Sequence, residues 1–180
     1  KERIGYMPEE RGLYLDVPLE KCLVYLGSLK GLSSSASHDK VTIWLQRFDL
    51  HQHRKKKVKD LSKGMQQKAQ LITTLIHDPE IVIIDEPFTA LAPVTTEMVK
   101  DMLQQKRDEG KAIIMSTHQM NQVEELCDRI LLIDHGHRVL YGTLQEIQQG
   151  FASRDIMVTP LSNLPDRIEG VREILKINGR

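Results

Sequence analysis

An apolar run, Ile81-Val-Ile-Ile84, ends in Asp85-Glu86-Pro87. Buried parallel strands read as continuous apolar runs, and open α/β sheets place their ligands at the carboxyl ends of such strands. Two adjacent carboxylates there suit chemistry on a phosphate. Asp85 is the natural magnesium-side carboxylate and would act directly or through water, because Mg²⁺ prefers hard oxygen ligands and keeps waters. Glu86 follows at the turn, where it would polarise an attacking water. Taken alone, Asp-Glu-Pro can also be a strand cap with Pro87 opening a loop, so other residues must decide. Upstream stands Leu61-Ser-Lys-Gly-Met-Gln-Gln-Lys68, with Ser62 a good N-cap residue. The unpaired amides and positive dipole of a helix beginning there favour an anion, and Gly64 removes a side chain that would obstruct a phosphate. An ordinary N-cap explains the same residues when they are read in isolation. A third block, Ser116-Thr-His118, closes the next apolar run.

The elements that must position these blocks follow from periodicity. Ile4-Gly-Tyr-Met7 is a short strand running into the polar loop from Pro8 to Gly12. Leu19, Cys22, Leu23, Leu26 and Leu29 recur at helical spacing between Pro18 and Leu32, with Pro18 in the first turn and Gly31 at the end. Ser33 to Ser37 reads as a polar link and Asp39 to Phe48 as a second helix carrying Val41, Trp44, Leu45 and Phe48. The basic run His53-Arg-Lys-Lys-Lys57 reads as solvated surface, with contact to phospholipid or a partner the sharper alternative. A third helix is predicted from Ser62 to about His77, stopped by Asp78-Pro79. Buried strands are expected at Glu80–Ile84 and Lys111–Ser116, and helices at Pro93–Glu109 and Gln119–Cys127. Arg129–Ile133 and Arg138–Tyr141 pair around Asp134-His-Gly-His137 as a hairpin. Strand, helix, strand with helix-length connections implies parallel neighbours. After Thr143 a short helix is expected, then strands at Asp155–Thr159 and Val171–Ile177.

In this order the three blocks resemble the ATPase subunit of an ATP-binding-cassette (ABC) transporter. Leu61-Ser-Lys-Gly-Met-Gln-Gln67 resembles the family's signature sequence, usually Leu-Ser-Gly-Gly-Gln, from which Lys63 and Met65 depart. That resemblance implies that Ser62, Lys63, Gly64 and Gln67 contact ATP bound on the opposite subunit. His118 matches the family's switch histidine, which contacts the γ-phosphate. Ile4-Gly-Tyr-Met-Pro-Glu9 resembles the loop that usually carries Gln where Glu9 stands, and that loop couples nucleotide and magnesium to the transmembrane partner. Glu for Gln keeps the length, loses the amide donors and leaves Glu9 a second candidate metal ligand. Phe88-Thr-Ala-Leu-Ala-Pro93 resembles the dimer-interface loop usually read Ser-Gly-Leu-Asp-Pro, with Ala92 in place of the aspartate. The signature variant and Pro8-Glu-Glu-Arg-Gly-Leu-Tyr14 are similar to exporters of the sodium- and drug-extrusion branch. A phosphate loop, Gly-x-x-x-x-Gly-Lys-Ser/Thr, does not occur in these 180 residues; Gly110-Lys111 comes nearest, but Ala112 follows.

The expectation is therefore an α/β, P-loop-type cassette with a parallel sheet and a helical subdomain at about 17–77. The cassette would cover 1–145, truncated at its N-terminus, and 146–180 would be a small, incomplete C-terminal α+β appendage. The full-length protein would use ATP and Mg²⁺ with a transmembrane permease and a second ATP-binding subunit, homo- or heterodimeric, and the 180-residue piece alone would be inactive. It would lie in the cytoplasm against the inner face of the membrane. Lys plus Arg number 25 against 25 Asp plus Glu, and this balance gives no basic excess for nucleic acid. Cys22 and Cys127 fall in apolar helical patterns and read as free thiols of a reducing compartment. No apolar stretch approaches the roughly 18 residues that a membrane-spanning helix needs. Two other readings remain open at this level: a non-catalytic or degenerate cassette partner, and a soluble cassette protein acting on ribosomes or DNA.

Overall fold

Three parallel strands build the edge that carries Asp85 and Glu86. The computed structural model describes residues 2–9 and 12–151. β1 (Ile4–Met7), β2 (Ile81–Asp85) and β3 (Ala112–Ser116) lie in the order β1-β2-β3, with Ile4 opposite Ile81 and Asp85 opposite Ser116. All three therefore end on one edge. Their side chains alternate between faces, as pleated backbone requires. Met7, Val82 and Ile84 are buried, with Ile113 and Met115 packed against the same core. Among the described residues the other face is open: Ile4, Tyr6, Ile81 and Ile114 are exposed. The expectation of buried strands is thus corrected to strands covered on one face, because α3 (Lys63–Leu75) and α4 (Pro93–Asp108) pack against the sheet from that side.

Between β1 and β2 the chain inserts α1 (Leu19–Ser28), α2 (Ser34–Arg47) and α3. α1 packs on both α2 and α3. Leu19 and Leu23 of α1, Val41 and Leu45 of α2, and Leu71 and Ile72 of α3 are fully buried together. α2 starts earlier than the sequence pattern indicated. Ser33 is its N-cap, accepting a hydrogen bond from the Ala36 amide at 3.2 Å, so the serine-rich link forms the helix's first turn. The basic run has a structural duty as well as an exposed surface. α1 starts after Pro18, which offers no side-chain acceptor, and the Leu19 and Glu20 amides donate instead to the carbonyls of Lys56 (2.9 Å) and Arg54 (3.0 Å).

α3 ends at Leu75, and Asp78 reverses the chain in the left-handed region at φ 52°. Asp tolerates that region better than most residues. Lys106 and Lys111 donate to the two Asp78 oxygens at 2.8 and 3.1 Å, tying this corner to α4 and β3. The hydrogen bond from Lys106, followed by the one from Lys111, holds the Asp78 carboxyl below its ordinary value of 3.8. A depressed carboxyl stabilises the folded state fully above the unfolded value, and that stabilisation fades as pH falls below it. Asp78→Asn keeps the backbone preference and removes the charge. Because the side chain is half exposed, the expected loss at pH 7 is about 1 kcal/mol or less. Urea unfolding at pH 7 and pH 3 should show the difference shrinking at the lower pH.

α4 begins at Pro93 with Ala92 as its N-cap, and Lys100, buried on its inner side, donates to Glu97 and Glu125 at 2.9 and 2.6 Å. Glu125 belongs to α5 (Met120–Leu126), which follows β3. Cys22 is buried and Cys127, just after α5, is half-buried; both are free. The described residues divide into two units between Asp128 and Arg129, earlier than the expected boundary after 145. In the second unit β4 (Ile130–Asp134) and β5 (His137–Gly142) form an antiparallel hairpin, and α6 (Leu144–Phe151) packs on β5. This local packing places the hairpin with α6. The turn tightens to His135-Gly136, both at positive φ (46° and 78°), the arrangement that matches strand twist in a two-residue hairpin. Arg129 stacks over the Tyr141 ring at 4.5 Å. The strands expected at 155–159 and 171–177 lie outside the described residues. No helix among the described residues is long and apolar enough to cross a membrane.

Candidate functional site

At the carboxyl edge of the sheet, strand register fixes the first contact. Asp85 stands opposite Ser116, whose hydroxyl donates to Asp85 Oδ1 at 2.6 Å. That orients one carboxylate oxygen and leaves the second for another partner. The chain then turns sharply: Glu86 has φ 46°, a left-handed conformation that costs a residue with a Cβ about 1–2 kcal/mol. Its amide donates to the Ser116 carbonyl at 3.0 Å. The turn brings the Glu86 side chain over the β3 terminus. There Oε1 accepts from the His118 amide (2.9 Å) and from His118 Nδ1 (2.7 Å), while Oε2 accepts from the Thr117 hydroxyl (3.2 Å). The Glu86 side chain is only 12% exposed, whereas that of His118 is 80% exposed. A carboxylate held on three donors is fixed in direction, and the histidine bonded to it keeps its second ring nitrogen toward solvent.

The signature block divides in two. Ser62 caps α3 by accepting from the Met65 amide at 3.3 Å, as its type predicted. With Lys63, Gly64, Ala90 and Ala92 it lines an open groove of about 440 Å³. Gln67, one turn on, points into the interior. It is buried, and its Nε2 donates to the carbonyls of Glu86 (3.1 Å) and Pro87 (3.4 Å). Gly64 has a reason the sequence did not suggest. A Cβ there would lie 2.6 Å from the Ala90 carbonyl oxygen, so the helix start is pressed onto the loop after the carboxylates. Ala90 itself is left-handed at φ 61°.

Ala92 is exposed at the N-cap of α4, where its methyl cannot accept from the first-turn amides as an aspartate would. Glu9 is exposed on the loop that follows β1, so it lies beyond the same sheet edge as Asp85 and Glu86. The structure thus gathers Asp85, Glu86 and His118 directly and joins Gln67 to them through the backbone. Ser116 and Thr117 carry holding contacts that sequence reasoning missed. Their hydroxyls at a strand terminus beside the acidic pair were the available signal. For magnesium, no group of three or more His, Cys, Asp or Glu among the described residues could hold an ion. Asp85 with one free oxygen fits the other common arrangement, in which one carboxylate, phosphate oxygens and waters share the cation.

Comparison with known proteins identifies the family and the fold. A family model described as ABC transporter matches residues 1–89. An uncharacterized ABC transporter ATP-binding protein of Alkalihalophilus pseudofirmus is 40% identical over 168 residues, covering 90% of this chain and 63% of that protein. The ABC transporter ATP-binding protein NatA of Bacillus subtilis is 33% identical, over 91% of this chain and 67% of its own length. The chain belongs to the ABC transporter ATP-binding family. A solved structure of the ATP-binding subunit of an ABC transporter superposes with a TM-score of 0.77 at 29% identity, covering 83% of this chain and 62% of that one. The α/β cassette fold is thereby established. The chain spans 52 to 63% of the length of the first curated relatives it matches.

Proposed function

We propose that the whole protein is a Mg²⁺-dependent ATPase subunit that hydrolyses ATP between two head-to-tail cassettes and drives a separate transmembrane permease. The observation that carries this reading is Glu86, aimed by three donors from Thr117 and His118 at the sheet edge beside Asp85. Bound Mg²⁺–ATP would supply a polarised γ-phosphate. Asp85 would hold the metal with the oxygen that Ser116 leaves free, and Glu9 is a second candidate ligand. Glu86 would take the proton of the attacking water. His118 would use its outward ring nitrogen on the phosphate. Ser62, Lys63 and Gly64 would meet nucleotide held by the second subunit, through the anion-favouring start of α3. The reading assigns the phosphate-loop amides to a segment outside these 180 residues. It places the protein in the cytoplasm, peripheral to the membrane. Export is favoured by the resemblance of the signature variant and of Pro8–Tyr14 to the extrusion branch.

One observation favours a second reading, a degenerate cassette that lends its signature helix but does not hydrolyse. Ala92 stands at the N-cap of α4 where the family's interface aspartate is usual. Phosphate release by the purified full-length protein with its permease in vesicles separates the two. Mg²⁺-dependent hydrolysis that stops when EDTA removes the metal is expected. Association with a permease without any hydrolysis would transfer the conclusion to the degenerate partner.

A further inference from the structure

Gln67 is a neutral side chain, buried within the chain, with a bond to the backbone beside the reacting carboxylate. Its amide reaches the carbonyl of the Glu86–Pro87 peptide link and the next carbonyl, that of Pro87. That link needs holding. Glu86 is left-handed, and the Thr89 amide is the other donor to its carbonyl, at 3.3 Å. Gly64, one turn before Gln67 and on the same side of α3, abuts the Ala90 carbonyl oxygen. The face of α3 formed by Gly64 and Gln67 therefore rides along residues 86–90. The same helix presents Ser62 and Lys63 to the open groove.

We infer that Gln67 is a positioning residue for Glu86, tying the backbone of the Glu86–Pro87 turn to α3 so that the aim of the carboxylate follows the placement of the signature helix. This rests on the ATPase reading above. His118 and Thr117 hold the far end of the Glu86 side chain, whereas Gln67 holds its root. Without Gln67 the Glu86 carbonyl keeps only the long bond from the Thr89 amide (3.3 Å), and the carboxylate pivots about the remaining Glu86 amide bond to Ser116 as the turn relaxes toward a less strained φ. Displacements of about 1 Å from a productive geometry can cost about 10²-fold in rate. The connection also runs outward. Any ligand that shifts the first turn of α3 pulls on Glu86 of the same chain through one side chain, which links the two composite sites of a head-to-tail dimer.

The test uses the full-length protein with its permease and two substitutions. Gln67→Met fills the same space without a donor. It is expected to lower kcat by about 10- to 100-fold with KM for ATP held within about twofold, the pattern of a lost transition-state alignment. Gln67→Glu places an acceptor-only carboxylate against two carbonyl oxygens at pH 8 and should be as slow or slower. Its buried carboxyl protonates as the pH falls toward 6, supplying an O–H donor, so its activity relative to the unsubstituted protein should rise. A change confined to packing would not produce that pH recovery. Unchanged kcat in Gln67→Met, a change in KM alone, or a Gln67→Glu profile parallel to the unsubstituted one would each overturn the inference. If Gln67→Met fails to fold, the pH profile of Gln67→Glu decides by itself. Hydrolysis in the unsubstituted protein that is lost in Glu86→Gln and kept in Gln67→Met removes this inference and leaves the ATPase reading standing. Absence of hydrolysis in the unsubstituted protein removes both.

Discussion

Glu86→Gln in the full-length protein is expected to lower kcat for ATP hydrolysis by about 10²- to 10⁴-fold, the usual worth of a positioned general base. The substitution is informative because so little else should change. A glutamine side chain has the same length, and its carbonyl oxygen can still accept from the His118 amide and Nδ1, now held by Glu86 Oε1 at 2.9 and 2.7 Å. Its amide group meets the Thr117 hydroxyl, which can turn to accept. The left-handed turn at residue 86 and its bond to the Ser116 carbonyl belong to the backbone and persist. What is removed is the negative charge and, with it, the capacity to take a proton. Nucleotide affinity and unfolding midpoint should therefore stay close to the unsubstituted values while phosphate release collapses. Wild-type turnover in this variant would move the base elsewhere and reduce Glu86 to a strand-terminal brace.

The parts of the fold and of the site legible in the sequence were those set by local rules. Ser62 as an N-cap, Gly31 and Gly110 at left-handed helix ends and the hairpin at His135-Gly136 all follow from side-chain type and neighbouring pattern. The acidic pair at the end of an apolar run was equally readable, because strands deliver their last residues to a sheet edge. What was not readable depends on contacts between segments far apart in the chain. Glu86 and Ala90 are left-handed without being glycine, so no residue type marks the turn. Gln67 sits at a position that could face a ligand or the interior, and only the path of residues 86–90 beneath α3 decides. Ser33 had the right type for a cap, but the polar run around it masked the start of α2. The open face of the sheet was hidden for a related reason. An apolar strand looks the same whether one face or two are covered.

Gly64→Ala is the second substitution with a large expected effect, and two terms oppose each other in it. In a helix interior alanine is favoured over glycine by about 1 kcal/mol, and Gly64 lies in the first turn of α3, where part of that gain applies. Against it stands the Cβ at 2.6 Å from the Ala90 oxygen, a backbone atom that cannot swing aside like the end of a side chain. Overpacking of this kind costs about 1–3 kcal/mol, so the balance falls toward destabilisation. The functional loss should exceed the loss in stability, because the shift is taken up by α3 and residues 86–90 together, and these hold the Glu86 turn between them. A fall in kcat of about 10²-fold is expected from displacement on this scale, read beside urea unfolding of the same sample. Ala90→Gly supplies the decisive comparison. It relaxes the left-handed residue at φ 61° and frees the loop to withdraw from the new methyl group. In combination the two substitutions should recover part of both losses, a coupling that residues without mutual contact would not show. Additive losses would mean that α3 moves alone, and that Gly64 serves the groove rather than the seam beneath it.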